Sequence, residues 1–254
     1  MNFDVAADAY DSFMGRYSRL LSPQLADLAG VGSNGRQRVL DVGCGPGALT
    51  AELVTRVGPE AVAAVDPSES FVAAARARNP GVEVLRAPAE NLPFAEGAFD
   101  ASLAQLVVHF MADPVAGLSE MARVTRRDGV IAACVWDHGG GQGPLRVFWQ
   151  AARELAPEVD DESRLAGAKD GHLAELFEAA GIREIEQAVL PVHIQHATFD
   201  EWWEPFTRGV GPAGAHLATL DPERREELRE RCRAQLPVEP FSLTAVAWAA
   251  RGVV

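Results

Sequence analysis

One lysine, Lys169, stands against 22 arginines in this chain of 254 residues. Most of those arginines are interleaved with acids. The densest run, Arg224 to Arg233, alternates with Glu226, Glu227 and Glu230 and reads as a solvated helix face. Formal net charge is −13. A duplex binder needs a basic face to displace counterions, so nucleic acid is not an expected partner. Cysteine is also scarce. Cys44, Cys134 and Cys232 show neither a CxxC pair nor Cys/His ligand spacing, which leaves no disulfide framework and no metal site. No apolar run approaches the ~18 residues of a membrane span. The acidic start, with Asp4, Asp8 and Asp11, is unlike a secretory signal. A cytoplasmic location is expected; oligomeric state is not readable.

What is present is alternation. Strand-like runs at 38–43, 61–66, 82–86, 99–108 and 129–136 are separated by helix-like segments at 46–57, 68–78 and 113–126. That order predicts an α/β domain with a parallel sheet. The second half predicts helices at 144–155, from Asp170 to Gly181 and from Asp221-Pro222, with strands at 185–196 and 241–251. Residues 1–36 precede the first strand, 37–136 form the expected ligand-binding core, and about 197–240 interrupt the last two strands as an insertion. An insertion of that length commonly serves as a lid. A single domain over 1–254 accommodates all three parts.

The chemistry concentrates in VLDVGCGPGALT, Val39 to Thr50. Gly43, Gly45 and Gly47 follow a strand and open a helix, the setting of a phosphate cradle. Two residues argue against phosphate. Asp41 would oppose it as a like charge, and Pro46 removes a backbone donor. The nearest following arginine, Arg56, lies nine residues beyond Gly47. The loop therefore suits a cationic ligand without phosphate, with Asp41 either facing that ligand or bracing the loop. S-adenosylmethionine meets the description. Asp66 ends the second strand, 23 residues after Gly43, where a carboxylate can accept both ribose hydroxyls. Its other reading is a helix cap.

These residues resemble the class I S-adenosylmethionine-dependent methyltransferases, and are most similar to the small-molecule branch that includes the ubiquinone and menaquinone C-methyltransferases. VLDVGCGPG (39–47), AVDPSESFVAAAR (64–76), APAENLPFAEGAFD (87–100) and FDASLAQLVVHFMADP (99–114) match its four ordered motifs, and RVTRRDG (123–129) its following turn. The resemblance implies a Rossmann-like, mostly parallel seven-stranded sheet with an antiparallel last strand, carrying a helical N-terminal flap and a helical lid. It implies S-adenosylmethionine as cofactor and a small organic molecule as acceptor. It places Pro67, Ala89, Glu90 and Gln105 beside the cofactor. Pro88 stands where the branch commonly has an acid, and Arg127-Asp128-Gly129 where it commonly has Pro-Gly-Gly. A non-catalytic cofactor-binding protein and an NAD-linked oxidoreductase remain as alternatives.

The resemblance fixes no substrate residues. His109, Asp137 and His138 follow the fourth and fifth strands at the ligand-binding edge of the sheet and are the candidate bases. Trp202, Trp203 and Phe206 form either a staple within the lid or an apolar wall for the acceptor. Tyr10, Arg16 and Tyr17, in the stretch 8–19, form either an edge helix or a flap over the cofactor, with Arg16 facing its carboxylate.

Overall fold

The computed structural model describes residues 10–32 and 37–254. Residues 8 and 9 of the expected flap lie outside them. The sheet has seven strands in the order β3-β2-β1-β4-β5-β7-β6. They are β1 (Val39–Val42), β2 (Val62–Asp66), β3 (Glu83–Arg86), β4 (Phe99–Gln105), β5 (Thr125–Trp136), β6 (Arg183–His196) and β7 (Phe241–Val253). The first five are parallel, and β7 runs antiparallel between β5 and β6. The strand order reverses between β1 and β4, and ligands of open α/β sheets bind outside the carboxyl ends at such a point.

β1 and β2 are buried at every position. Strands covered on both faces read as continuous apolar runs, which is how they appear in the sequence. The turn after Arg123 differs from the expected simple turn. Thr125 already pairs with Phe99, pairing resumes at Val130 with Ala101, and the residues between bulge out. Asp128 takes φ +57° there, the left-handed conformation an aspartate adopts more readily than most residues.

Helices α1 (Arg16–Leu28), α2 (Ala48–Val57), α3 (Glu69–Arg78), α4 (Pro114–Val124), α5 (Arg146–Leu155) and α6 (His172–Ala179) surround the sheet. Between β6 and β7 lie α7 (Phe199–Trp203), a 3₁₀ turn (Glu204–Arg208), α8 (Gly211–Thr219) and α9 (Pro222–Gln235). A π-helical turn, Asp11–Gly15, runs directly into α1. Pro23 sits inside α1. Ser22 Oγ donates to the Ser18 carbonyl at 2.7 Å, a back-bond within the helix.

One apolar cluster joins Tyr17, Leu21 and Leu25 of α1 to one face of the sheet. A second packs α4 and α6 on the other face through Leu118, Met121 and Phe177. A third is aromatic and unites α5 with the 197–240 segment and with Phe13 and Met14.

Candidate active site

The glycine loop hangs from the end of β1. Gly43 and Cys44 donate to the Val65 carbonyl at 2.8 and 2.9 Å, Gly45 donates to Asp66 Oδ2 at 2.9 Å, and Gly47 donates to the Cys44 carbonyl at 3.0 Å. Pro46 has no N–H to give. Every backbone donor from Gly43 to Gly47 is therefore either spent inside the protein or absent, so this loop offers no nest for a phosphate. Gly43 cannot carry a side chain: a Cβ would lie 2.1 Å from Val107 Cγ2, at φ +70°.

A crevice of about 30 Å³ lies against this loop, lined by Asp41, Gly43, Gly45, Gln105, Ser18 and Tyr10. Asp41 is 1% exposed. Its Oδ2 accepts from Thr50 Oγ1 at 2.6 Å, while Oδ1 is buried without a partner. Burial pushes its carboxyl up to about 7, against the pull of the Thr50 bonds. Gln105 donates through Nε2 to the Ser18 carbonyl at 3.2 Å, and its Oε1 is likewise buried and unpaired. Two orphaned acceptors, one a carboxylate, thus line a single crevice. An unpartnered buried acceptor costs about 1–3 kcal/mol until a donor arrives.

The crevice continues into the main cavity, about 280 Å³, through Tyr10, Gly43, Gly45 and Gln105. Asp66, Pro67, Ala89 and Glu90 line it too, with Pro88, Phe71 and Met111. Asp66 serves as a brace as well: Oδ1 accepts from the Ser68 amide at 2.8 Å and Oδ2 from Gly45. Both oxygens keep a free lone pair, so bracing and binding are compatible. Glu90 Oε1 accepts from the amides of Ala112 and Asp113 at 2.8 and 3.2 Å, which fixes the segment ahead of α4.

At Tyr10, Leu106 and Phe110 the main cavity meets an inner one of about 30 Å³. Its walls are largely apolar, with Phe13, Met14, Leu145 and Val210. Four titratable groups line it: Tyr10, His109, His138 and Glu162. His138 and Glu162 have side chains 5% exposed, and His138 Nε2 lies 3.9 Å from Glu162 Oε1. The other carboxylate oxygen, Oε2, accepts from Trp149 Nε1 at 2.8 Å. Burial drives His138 down to about 4, holds His109 well below the ordinary histidine range, and raises Glu162 to about 7.

Four expected placements need correction. Arg16 does not reach the glycine loop; it donates to the Gln195 carbonyl at 2.9 Å and pairs with Glu201 at 3.0 Å. Tyr17 is buried against Trp136, with ring centroids 5.9 Å apart, and lines neither the main cavity nor the crevice. Trp202, Trp203 and Phe206 line none of these three spaces. They pack on Phe148 and Phe199, and Phe206 also reaches Phe13 at 5.1 Å, as a hydrophobic core for the inserted segment. Asp137 braces its own turn, with Oδ1 accepting from the Gly140 amide at 2.6 Å and Oδ2 from Gln142 Nε2 at 3.1 Å. Glu162 escaped the sequence reading because Asp160-Asp161-Glu162 looks like a solvated acidic turn. Among the described residues no cluster of His, Cys, Asp or Glu is arranged to hold a metal ion.

Residues 40–133 match the family described as a methyltransferase domain. The whole fold superposes on a putative methyltransferase from Bacillus halodurans with a TM-score of 0.60, over 91% of this chain and 97% of that one, at 18% identity. Residues 40–133 are thus an S-adenosylmethionine-dependent methyltransferase domain, set in the class I fold. It is similar to a demethylmenaquinone methyltransferase of Clavibacter sepedonicus, 29% identical over 85% of this chain and 91% of that protein. It is also similar to a chloroplastic 2-methyl-6-phytyl-1,4-hydroquinone methyltransferase of Oryza sativa, 31% identical over 59% of this chain and 40% of that protein. The methyltransferase thus spans about two fifths of that rice relative's length. Members of the family use S-adenosylmethionine as methyl donor, and the residues present fit it. An ammonium supplies the donors that Asp41 Oδ1 and Gln105 Oε1 lack, and a ligand without phosphate makes no demand on the spent loop amides.

Proposed function

We propose that this methyltransferase moves a methyl group from S-adenosylmethionine to a small, largely apolar organic acceptor. The observation that carries the reading is the pair of orphaned acceptors, Asp41 Oδ1 and Gln105 Oε1, in the glycine-loop crevice. The cofactor's ammonium end belongs in that crevice. Its ribose belongs beside Asp66, and its adenine between Pro67, Pro88, Ala89 and Met111 in the main cavity. The sulfonium supplies an electrophilic methyl when bound. The chain's task is then alignment and exclusion of water, because charge is dispersed as the methyl moves.

Tyr10 borders the crevice, the main cavity and the inner cavity, so it sits where donor and acceptor must meet. Residues 10–15 act as a flap over this junction, and 197–240 as a lid that closes the inner cavity through Val210, Gly211 and Pro212. The inner cavity, about 30 Å³, receives the reacting end of the acceptor. Its apolar lining suits a flat or aliphatic body, and hydroquinone-like acceptors, named for the rice relative, fit that description.

Calorimetry tests the cofactor reading. S-adenosylmethionine is expected to bind, NADH not to, and Asp41→Asn to weaken the former at least about tenfold, or roughly 1.4 kcal/mol. Unchanged affinity in Asp41→Asn removes the charge argument. Turnover of methyl-labelled cofactor over a panel of hydroxylated aromatics tests the acceptor. Cofactor binding without turnover of any acceptor would favour a non-catalytic binding protein.

A further inference from the structure

His138 and Glu162 belong to two cavities at once. Besides the inner cavity they line an outer one of about 100 Å³, on the far side from the main cavity. The two spaces differ in chemistry. The inner one is walled by Phe13, Met14, Leu145 and Val210, while the outer one is walled by Asp137, Arg146, Arg153 and Asp161 with the solvent-exposed Gly141 and Gln150. The two side chains therefore stand as a polar partition between a greasy chamber and a hydrated one.

We infer that His138 and Glu162 form a proton outlet, taking the proton of an acceptor held in the inner cavity and releasing it to solvent through the outer one. This rests on the methyl-transfer reading, which requires that an acceptor X–H lose its proton. The X–H bond breaks with its electron pair left on the acceptor. That pair would form the bond to the methyl as the methyl's bond to the donor's sulfur breaks, the electrons of the broken bond staying on sulfur. The proton passes to the His138–Glu162 pair and leaves on the Arg146 and Asp161 side. The methyl donor is the only other reactant.

The partition is built for this role. Trp149 from α5 holds Glu162 Oε2 and leaves Oε1 facing His138 Nε2. The 3.9 Å gap is longer than a hydrogen bond, and a shift of about 1 Å by either side chain closes it. The turn that carries His138 is fixed by Asp137, and the turn that carries Glu162 starts at Asp161, whose Oδ1 accepts from the Ser163 amide at 2.9 Å and whose other oxygen pairs with Arg153. Both groups are thus positioned by neighbours that are not themselves reactive.

The charges around the pair set its direction. Asp137 and Asp161 lie on its outer side and favour an arriving positive charge at His138. Arg146 and Arg153 of α5 line the outer cavity, with Arg153 paired to Asp161. On the inner side stand Tyr10 and His109, both neutral near pH 7, since burial raises the phenol to about 12 and keeps the imidazole well below its ordinary value. A proton leaving the acceptor has no other charged base to go to among the described residues lining the inner cavity. Glu162, lifted to about 7, is a matched base at neutral pH.

The test uses the full chain and 4-nitrophenol, a chromophoric phenol whose absorption band reports its ionisation. With S-adenosylhomocysteine bound so that no methyl can move, wild-type protein is expected to shift bound 4-nitrophenol toward its phenolate band at pH values where the free phenol is still protonated. Glu162→Gln and His138→Asn are expected to abolish the shift and to leave S-adenosylmethionine affinity within about twofold by calorimetry. Independently, Trp149 fluorescence is expected to titrate near pH 7 in wild type and not in Glu162→Gln, a variant that keeps an acceptor for the indole. Failure of 4-nitrophenol to bind, or the same band in wild type and Glu162→Gln, overturns the outlet. Failure of S-adenosylmethionine to bind wild type overturns the methyl-transfer reading instead.

Discussion

At the residue scale the glycine loop separates two kinds of glycine. Gly43 is required by packing, because its Cβ would strike Val107. Gly45 has room: its Cβ would stop 4.0 Å from the Tyr10 ring, where the crevice joins the main cavity, although φ is +52°. Gly43→Ala is therefore expected to cost about 1–3 kcal/mol of stability from overpacking and positive φ, read as a lowered melting temperature. Gly45→Ala is expected to cost less stability and more cofactor affinity, because its methyl projects where a ligand must approach the backbone. Calorimetry and thermal unfolding of the two variants check this; equal losses in both quantities would refute it. Asp66 has two duties. Asp66→Asn keeps an acceptor for only one of the Ser68 and Gly45 amides, so it is expected to loosen the loop as well as to weaken adenosine recognition. Poor binding of a 2′-deoxy cofactor analogue to the wild type isolates the second effect from the first.

At the scale of elements, the N-terminal segment is more deeply built into the molecule than an optional flap. Tyr17, Leu21 and Leu25 are 5%, 0% and 0% exposed, so a truncation through residue 19 uncovers the core beneath α1. The part that meets the cavities is the π-helical turn Asp11–Gly15 with Tyr10 ahead of it, and such turns often mark functional sites. Slower amide exchange confined to residues 10–15 on adding S-adenosylmethionine is the expected sign of closure, whereas α1 is expected to be protected in either state. Arg16 ties this turn to the inserted segment through Glu201, with side-chain exposures of 28% and 41%. Partly exposed pairs contribute little, so Arg16→Ala is expected to leave cofactor affinity within about twofold; a tenfold loss would return Arg16 to the cofactor. The strands and the glycine loop were legible because each has a local cause: apolar runs bounded by Gly, Pro and Asp, and a loop whose residues chemically exclude phosphate. Glu162 and Trp149 were not legible. Their meeting depends on how α5 docks, and no local pattern distinguishes a buried acid in Asp160-Asp161-Glu162 from a solvated one. The Trp202-Trp203-Phe206 cluster stayed between a staple and a wall for the same reason, since aromatic spacing alone cannot say whether it faces ligand or other aromatics.

At the scale of the whole molecule, buried titratable groups pull stability in opposite directions with pH. His109, His138, His196 and His216 all have folded-state values below the ordinary histidine range because burial disfavours the imidazolium. The unfolded chain holds more protons at these sites, so stability rises with pH until the unfolded histidines are neutral, at about 6.5. Asp41 and Glu162, each raised to about 7, and Asp66, raised as well, act the other way. The folded chain holds their protons and the unfolded chain does not, so their contribution is complete below about pH 4 and is lost as pH rises through about 7. The free protein is therefore expected to be most stable near pH 6–7 and to lose stability above that, where only the carboxyl contribution still changes. A bound cation at Asp41 changes the balance, because it favours the carboxylate that burial penalises. S-adenosylmethionine is expected to bind with release of a proton below about pH 7, to bind more tightly at pH 8 than at pH 6, and to move the stability maximum upward. Thermal unfolding across pH 5–9 with and without the cofactor, and calorimetry in buffers of different ionisation enthalpy, measure each part of this. A free protein that gains stability steadily from pH 6.5 to 8, or cofactor binding without proton release at pH 6, would show that Asp41 is already ionised before the ligand arrives.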